Sequence, residues 1–291
     1  MTDDVTSTGA HRARRAIVLA RGAGSRMRAD DGGAGLTVEQ QAAAAAGHKA
    51  LMPINGRPFL DFVLRALAAA GIRDVALVVA PDHTDMRAAY PDDRSPDGVA
   101  LAWVVQTEPR GTANAVLAAR DWAGTEPFLA LNGDNVYPVP ALSALAALSG
   151  PGLAGFARDN LIATSNISAE RIAAFALVEA SAAHELVGIV EKPSADVVAR
   201  AGAGALVSMN LWRFEASIFD ACRDVPLSAR GEAELPDAVM LAHRRGVPFV
   251  VVPSLGPVLD LSKRGDVADV TRRLMAGERT EREWTEGTSC N

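Results

Sequence analysis

The chain has 291 residues, 49% of them hydrophobic, and 29 Lys and Arg against 35 Asp and Glu give a formal net charge of −6. That length suffices for one large core or two modest ones. The acidic balance excludes an extended nucleic-acid surface but leaves room for local cations that hold a small anion.

No uninterrupted apolar run reaches the roughly 18 residues of a membrane-spanning helix. Cys222 and Cys290 show no CxxC or Cys/His spacing, which excludes a thiolate zinc site and fits a reducing compartment. Residues 1–14 mix basic and acidic side chains with no apolar segment behind them, so they read as a disordered arm of a cytoplasmic protein rather than a targeting signal.

In chain order, apolar runs of strand length alternate with helical periodicities. A strand is expected over Ala16–Ala20, leading into the glycine turn of LARGAGSRM, residues 19–27. The segment 29–47, Ala-rich at Gln40–Ala46, reads as a long, partly helical insertion, and so long a loop beside a glycine turn suits a lid or binding loop. Phe59–Ala70 and Thr112–Trp122 are apolar at helical intervals; Val75–Ala80, Leu101–Gln106 and Phe128–Leu131 read as strands. Both flanks of these strands are apolar, which is the pattern of a mostly parallel sheet covered on two faces. After Gly150-Pro151, Ile172–Val178 and Leu186–Val190 read as a hairpin and Leu206–Phe214 as a further strand. Leu235–His243 reads as a helix, Phe249–Val252 as a strand and Val267–Met275 as a helix, with 277–291 a flexible tail. No solenoid repeat is visible, and no hexapeptide repeats follow that would build a second, acetyltransferase module.

The glycine turn is chemically specific. Glycines after a first strand bring backbone N–H groups close to an anion, because no Cβ intervenes and positive φ is accessible. A dinucleotide-binding turn needs a third glycine for close helix packing, and Met27 stands there. A Walker A loop needs Gly-Lys-Ser/Thr, which is absent. Arg26 follows instead, and Lys49 comes after the insertion; two cations beside a glycine turn suit a triphosphate whose charge moves during reaction.

Other segments converge on the same sheet edge. Gln106 ends a strand and Gly111-Thr112 starts a helix, where ligands sit in open α/β sheets. Asp134 in NGDN ends the next strand, VEKP places Glu191 and Lys192 at the end of a hairpin strand, and VLDLSKRGDV adds Asp260. Each has a plainer alternative. Asp134 could cap a turn, Asp260 could cap the following helix, and of the adjacent Glu191 and Lys192 one could be a surface charge. Arg21 is either a third cation at the turn or a solvated one. Glu234 and Asp237 could cap a helix or reach a ligand, and capping is preferred. His11, His48, His83, His184 and His243 show no ligand spacing and read as structural or surface groups.

Together these elements resemble the sugar-1-phosphate nucleotidyltransferase family: L-x-x-G-x-G-[S/T]-R-M at 19–27, KALMPINGRPFLDFVL at 49–64, GTA at 111–113, GDN at 133–135, VEKP at 190–193 and the late aspartate at 260, in family order over about 15 to 276. The resemblance implies an α/β, Rossmann-like three-layer fold with a mixed, mostly parallel central sheet. A nucleotide-binding half would cover 15–150, and a sugar-phosphate-binding half with a small inserted hairpin region 151–276. It implies joining a nucleoside triphosphate to a sugar 1-phosphate with release of pyrophosphate; a homo-oligomer is possible, and charge and hydropathy point to no nucleic-acid or membrane partner.

By the same resemblance, Leu19, Ala20, Gly22, Ala23, Gly24 and Ser25 would hold the triphosphate. Arg26 would neutralise the departing pyrophosphate, Lys49 would sit near the reacting phosphates, and Mg²⁺ would be held by Asp134 and Asp260. Gln106, Gly111, Thr112 and Gly133 would complete the nucleotide site. Gln106, offering both donor and acceptor, would suit a pyrimidine imide edge and so favour UTP or dTTP, with GTP and CTP left open. Asn135, Glu191, Lys192 and Asn210 would serve the sugar phosphate.

Departures from the family pattern at Arg21, at Ala176 and in the 29–47 insertion leave the acceptor open, a non-sugar phosphate included. Two rivals predict other residues. A non-catalytic nucleotide-sugar-sensing subunit would lose Lys49, Asp134 or Asp260. A nicotinamide dehydrogenase would need a glycine at Met27 and an acidic residue after the second strand, where only Asp82 is available.

Overall fold

The computed structural model describes residues 12–22, 24–29, 35–202 and 204–287, with side chains as far as 277. Its strands are β1 (Arg15–Leu19), β2 (Pro53–Ile54), β3 (Arg57–Pro58), β4 (Asp74–Val79), β5 (Ala100–Val105), β6 (Phe128–Asn132), β7 (Asn135–Val136), β8 (Gly152–Ala157), β9 (Leu177–Ala180), β10 (Leu186–Val190), β11 (Leu206–Phe214), β12 (Val250–Ser254) and β13 (Leu259–Asp260). Nine of them form one mixed sheet. β5, β4, β1 and β6 are parallel neighbours in that order. β11 runs antiparallel to β6, and β8 and β12 continue beyond it. The β9–β10 hairpin pairs with the first residues of β11.

The strand period of two explains the three layers. In β1, Ala16 and Val18 pack into one core and Ile17 into the other; in β4, Val75, Leu77 and Val79 oppose Ala76 and Val78; in β6, Leu129 and Leu131 oppose Phe128 and Ala130. The helices Phe59–Ala69 and Val139–Ala146 cover the first face, and Thr112–Ala118, Ile218–Asp224 and Leu235–Arg244 cover the second. The expected Rossmann-like architecture is therefore present.

Several boundaries differ from the sequence expectation. β8 was missed because GLAGFA carries a weak strand signal. Its small residues are required by packing: a Cβ on Gly152 would lie 2.7 Å from the Val250 carbonyl oxygen, and one on Gly155 would lie 2.9 Å from Val251. Ile172 belongs to the helix Ala169–Ala173, capped by the Ser168 hydroxyl, and the hairpin begins only at Leu177. Residues 12–14, read as part of the arm, are anchored: Ala13 is buried and donates its amide to Ala146, while Arg12 donates to the Ala70 carbonyl. Residues 1–11 lie outside the described residues. The last helix runs over Asp266–Gly287, through most of the stretch read as a tail, in a segment without proline and rich in helix-favouring Glu and Arg. No helix among the described residues is long and apolar enough to cross a membrane.

Candidate active site

β1, β4, β5 and β6 are parallel, so their carboxyl ends share one edge, and a cavity of about 350 Å³ opens there. Leu19, Ala20, Arg21 and Gly22 enter it after β1, His83 and Met86 after β4, Gln106 after β5, and Asn132 and Asp134 at the end of β6. Gly47–Ala50, Gly111, Thr112, Ala115 and Glu232 complete much of the wall. The location follows from topology: connections leaving a parallel sheet on opposite sides part at its carboxyl edge and leave a crevice.

The glycine turn is built by close approach. Gly24 has φ +62°, and a Cβ on it would lie 2.2 Å from the Gly47 carbonyl oxygen, so the end of the insertion helix Val38–Ala46 abuts the turn. Gly22 is exposed with open space around it, and Ala23 lies outside the described residues. Ser25 and Arg26 stand exposed on the short helix Ser25–Arg28 and are not part of the cavity wall. Met27, where a dinucleotide fold wants glycine, is fully buried and fills core. Arg264 closes this turn from far along the chain, donating to the carbonyls of Met27 at 2.9 Å and Arg28 at 3.3 Å. Arg21 is a cross-link: its Nε donates to the Gln106 carbonyl at 2.8 Å and its Nη2 to Thr107.

At the reacting end, Lys49 Nζ lies 2.8 Å from Asp134 Oδ2, with both side chains partly buried. Gly133 brings Asp134 there by donating its amide to the Leu19 carbonyl, which joins the ends of β6 and β1. Asp260 is delivered by a second pairing, β13 against β7, in which Asp260 stands opposite Asn135 and Leu261 donates to the Asp134 carbonyl. The two aspartates proposed as metal ligands thus sit on adjoining backbone. Asp260 is nevertheless engaged: Arg171 Nη2 donates to Oδ1 at 2.6 Å, and Asn135 Nδ2 to Oδ2 at 3.3 Å. It does not cap the final helix. Asp266, the first residue of that helix, reaches back to accept the amides of Ser262 and Lys263 in the loop before it. Arg171, which bridges Asp260 and Asp266, carried no signal in the sequence.

At the other end, Gln106 is buried and its Nε2 donates to the Gly111 carbonyl at 3.1 Å and to Asn114 Oδ1 at 2.9 Å. Both amide protons are thereby used, which corrects the expectation that the side chain offers a donor as well as an acceptor: Oε1 remains. Gly111 has φ +101°, and a Cβ there would lie 2.4 Å from the Ala233 carbonyl oxygen. The segment before the helix Leu235–Arg244 is laced to this turn, Ala233 donating to Arg110 and Ala113 donating to Ala233. The Thr112 hydroxyl accepts the Leu235 amide at 2.8 Å and so caps that helix. Glu234, for which capping was preferred, makes no side-chain cap and pairs with Arg230.

The acceptor candidates lie outside the cavity wall. Asn210, at φ +55° in the irregular stretch of β11, is placed beside Asn132 when the register Leu211–Leu131 is carried one step on. Asn135 is buried against Asp260. Glu191 follows β10, where desolvation, then Asp237 and Glu234, hold its carboxyl above the usual range. Lys192 beside it is exposed, at φ +44°. Among the described residues, no group of three or more His, Cys, Asp or Glu could hold a metal ion. Buried Cys222 has its thiol pushed up to about 12, which makes it unreactive.

A parallel sheet whose carboxyl edge gathers a glycine turn, a lysine–carboxylate pair and a buried glutamine around one cavity has the layout of an α/β ligand site. Residues 15–256 match the sequence profile of the nucleotidyl transferase family, and the chain belongs to that family. It is 27% identical over 283 residues to a glucose-1-phosphate thymidylyltransferase of Mycolicibacterium smegmatis, covering 94% of this chain and 89% of that protein. It is 28% identical over 261 residues to one of Streptomyces antibioticus, covering 90% of this chain and 66% of the relative, just under two thirds of its length. The crystal structure of a UDP-glucose pyrophosphorylase complexed with UDP-glucose superposes with a TM-score of 0.68 at 15% identity, covering 91% of this chain and 99% of that one, and so shares the fold.

Proposed function

We infer that this enzyme joins a nucleoside triphosphate to a sugar 1-phosphate and releases pyrophosphate. The observation that carries the reading is the Lys49–Asp134 pair at 2.8 Å, set in the same cavity as the glycine turn and Gln106. Such a reaction needs no enzyme nucleophile. An oxygen of the sugar phosphate attacks the α-phosphorus in line, the bond to the β-phosphate oxygen breaks, and pyrophosphate departs with its electron pair. Repulsion between two anions is the obstacle, so orientation and charge neutralisation do most of the catalysis.

Lys49 supplies a cation where the two substrates meet. Arg26, exposed on the short helix that follows the glycine turn, is assigned to the leaving group. The backbone of the glycine turn offers amides to the triphosphate. On the base, Gln106 Oε1 accepts from the N3–H of uracil or thymine, whereas cytosine presents an acceptor at that position; this favours UTP or dTTP. Thr112 and Gly111 fix the turn that faces the base. Glu191, Lys192, Asn135 and Asn210 are assigned to the sugar phosphate.

The residues present suit a hard divalent cation, Mg²⁺, in their donor chemistry: Asp134, in the turn before β7, and Asp260, on β13 paired with β7, offer carboxylate oxygens, and two carboxylates with phosphate and water ligands suffice for this ion. When bound, the metal would screen phosphate charge on both substrates. Lys49 and Arg171 would each share a carboxylate with it.

The test is a matrix of nucleoside triphosphates against sugar 1-phosphates and other phosphorylated alcohols with Mg²⁺, read as pyrophosphate release. Turnover with UTP or dTTP and a sugar 1-phosphate is expected. No release from any pair would refute the reading, and release only with non-sugar phosphates would reassign the acceptor.

A further inference from the structure

His48 and His83 both line the cavity, although the sequence marked them as structural or surface groups. They come from different elements. His48 lies between Gly47, against which Gly24 of the glycine turn packs, and Lys49. His83 precedes the short helix Thr84–Ala89 that follows β4. The two rings meet edge to face with centroids 5.3 Å apart. His48 Nδ1 contacts the Asp85 carboxylate and therefore carries the proton of that hydrogen bond. His83 Nδ1 accepts from the Ala80 amide at 3.5 Å. Each ring thus has one nitrogen engaged by the protein, and Nε2 is the one left for an occupant of the cavity.

Stability does not explain the arrangement. Asp85 is 43% exposed, and a carboxylate so hydrated gains little from pairing. Burial, then His48, holds His83 below the usual histidine range, with Asp82, Asp85 and Arg21 the other charged groups around it. A carboxylate that holds Nδ1 fixes the orientation of an imidazole on a cavity wall, and in the imidazolium form, where both ring nitrogens are donors, the free Nε2–H is a donor for an anionic ligand.

We propose that His48, oriented by Asp85 and braced by the ring of His83, contacts the β- and γ-phosphates of the bound nucleoside triphosphate. This rests on the nucleotidyl-transfer reading, which gives the base to Gln106 and Gly111 and the α-phosphorus to the Lys49–Asp134 pair. His48 then belongs to the phosphate end: its neighbour Gly47 abuts the glycine turn, and its other neighbour is Lys49. The insertion 29–47 gains a role in substrate binding, since its end sets where His48 stands. His48 is assigned as a substrate contact and Asp85 as a positioning residue.

The experiment is a calorimetric titration of the full chain, with Mg²⁺ and no acceptor, using the nucleoside triphosphate that the wild type binds most tightly and then its monophosphate. His48→Asn keeps a donor for Asp85 but cannot reach the Nε2 position, whereas His48→Gln places an amide nitrogen there. His48→Asn should weaken triphosphate binding about 10-fold and leave monophosphate binding unchanged, and His48→Gln should recover most of the loss. Asp85→Asn should weaken triphosphate binding about 3-fold and raise the triphosphate KM with little change in kcat. Wild-type triphosphate affinity in His48→Asn, or an equal loss with the monophosphate, overturns the proposal. Because no acceptor is present, a protein that binds triphosphate through His48 yet releases no pyrophosphate would refute the functional reading and leave this one standing.

Discussion

Lys49 Nζ and Asp134 Oδ2 lie 2.8 Å apart across 85 positions of sequence. The pair joins the end of the insertion to the end of β6, and it puts a cation and a carboxylate at the point where two phosphates are proposed to meet. Free carboxylate there would repel both substrates; the lysine offsets that charge before either arrives.

Replacing Asp134 by Ala is expected to lower kcat by about 10³-fold or more, since a reacting-site charge is lost. The pair is partly solvated, so urea unfolding should change by under about 1 kcal/mol. Wild-type turnover in a folded Asp134→Ala protein would remove the residue from the site.

Gln106 should govern the base. With its amide protons held by Gly111 and Asn114, kcat/KM is expected to favour UTP or dTTP over CTP. Asn114→Ala releases one of those protons and lets the amide turn, so the preference should narrow by about 10-fold. An unchanged ratio would assign base choice elsewhere.

Gly111→Ala should act on structure and binding together. Its φ of +101° disfavours any side chain, and the added methyl would meet the Ala233 backbone. A loss of about 1–3 kcal/mol is expected in denaturant unfolding, with a raised triphosphate KM because Glu232 and the Leu235 helix are displaced.

Arg171→Ala should destabilise the fold by about 3 kcal/mol, because it leaves Asp260 and Asp266, two buried carboxylates, without their shared cation. Arg171→Lys should recover only part of this, as an ammonium cannot bridge both acceptors with a planar fork. Equal stability of the alanine variant would show that solvent reaches both aspartates.

Asp61 provides a test in pH. It is buried, and desolvation raises its carboxyl from the ordinary 3.8 despite the 2.6 Å bond from the Tyr90 hydroxyl. A folded value above the unfolded one favours folding fully below the unfolded value, and that contribution is lost as pH rises through the folded one. Asp61→Asn keeps the acceptor for Tyr90 and removes the titration. Its stability relative to wild type should therefore rise from pH about 4 to pH 7. A pH-independent difference would show that Asp61 titrates as in the unfolded chain.

Local pattern and order determined much of this protein. Alternating burial on both faces of IVL, DVALVV and FLALN specifies parallel strands between helices, because a period of two with both sides apolar has few other uses. The glycine turn, Lys49, GTA and GDN then fall at one sheet edge by chain order alone, and family membership followed from those motifs. Tertiary structure decided what each side chain has available once there. It spent both amide protons of Gln106, turned Arg21 into a cross-link, engaged Asp260 with Arg171, and set His48 and His83 against each other on the cavity wall. β8, with its glycines, became a strand only because neighbouring backbone and side chains leave no room for more. These outcomes depend on distances between segments far apart in sequence. A residue's type fixes which bonds it can make, but only its packed neighbours fix which remain for a substrate.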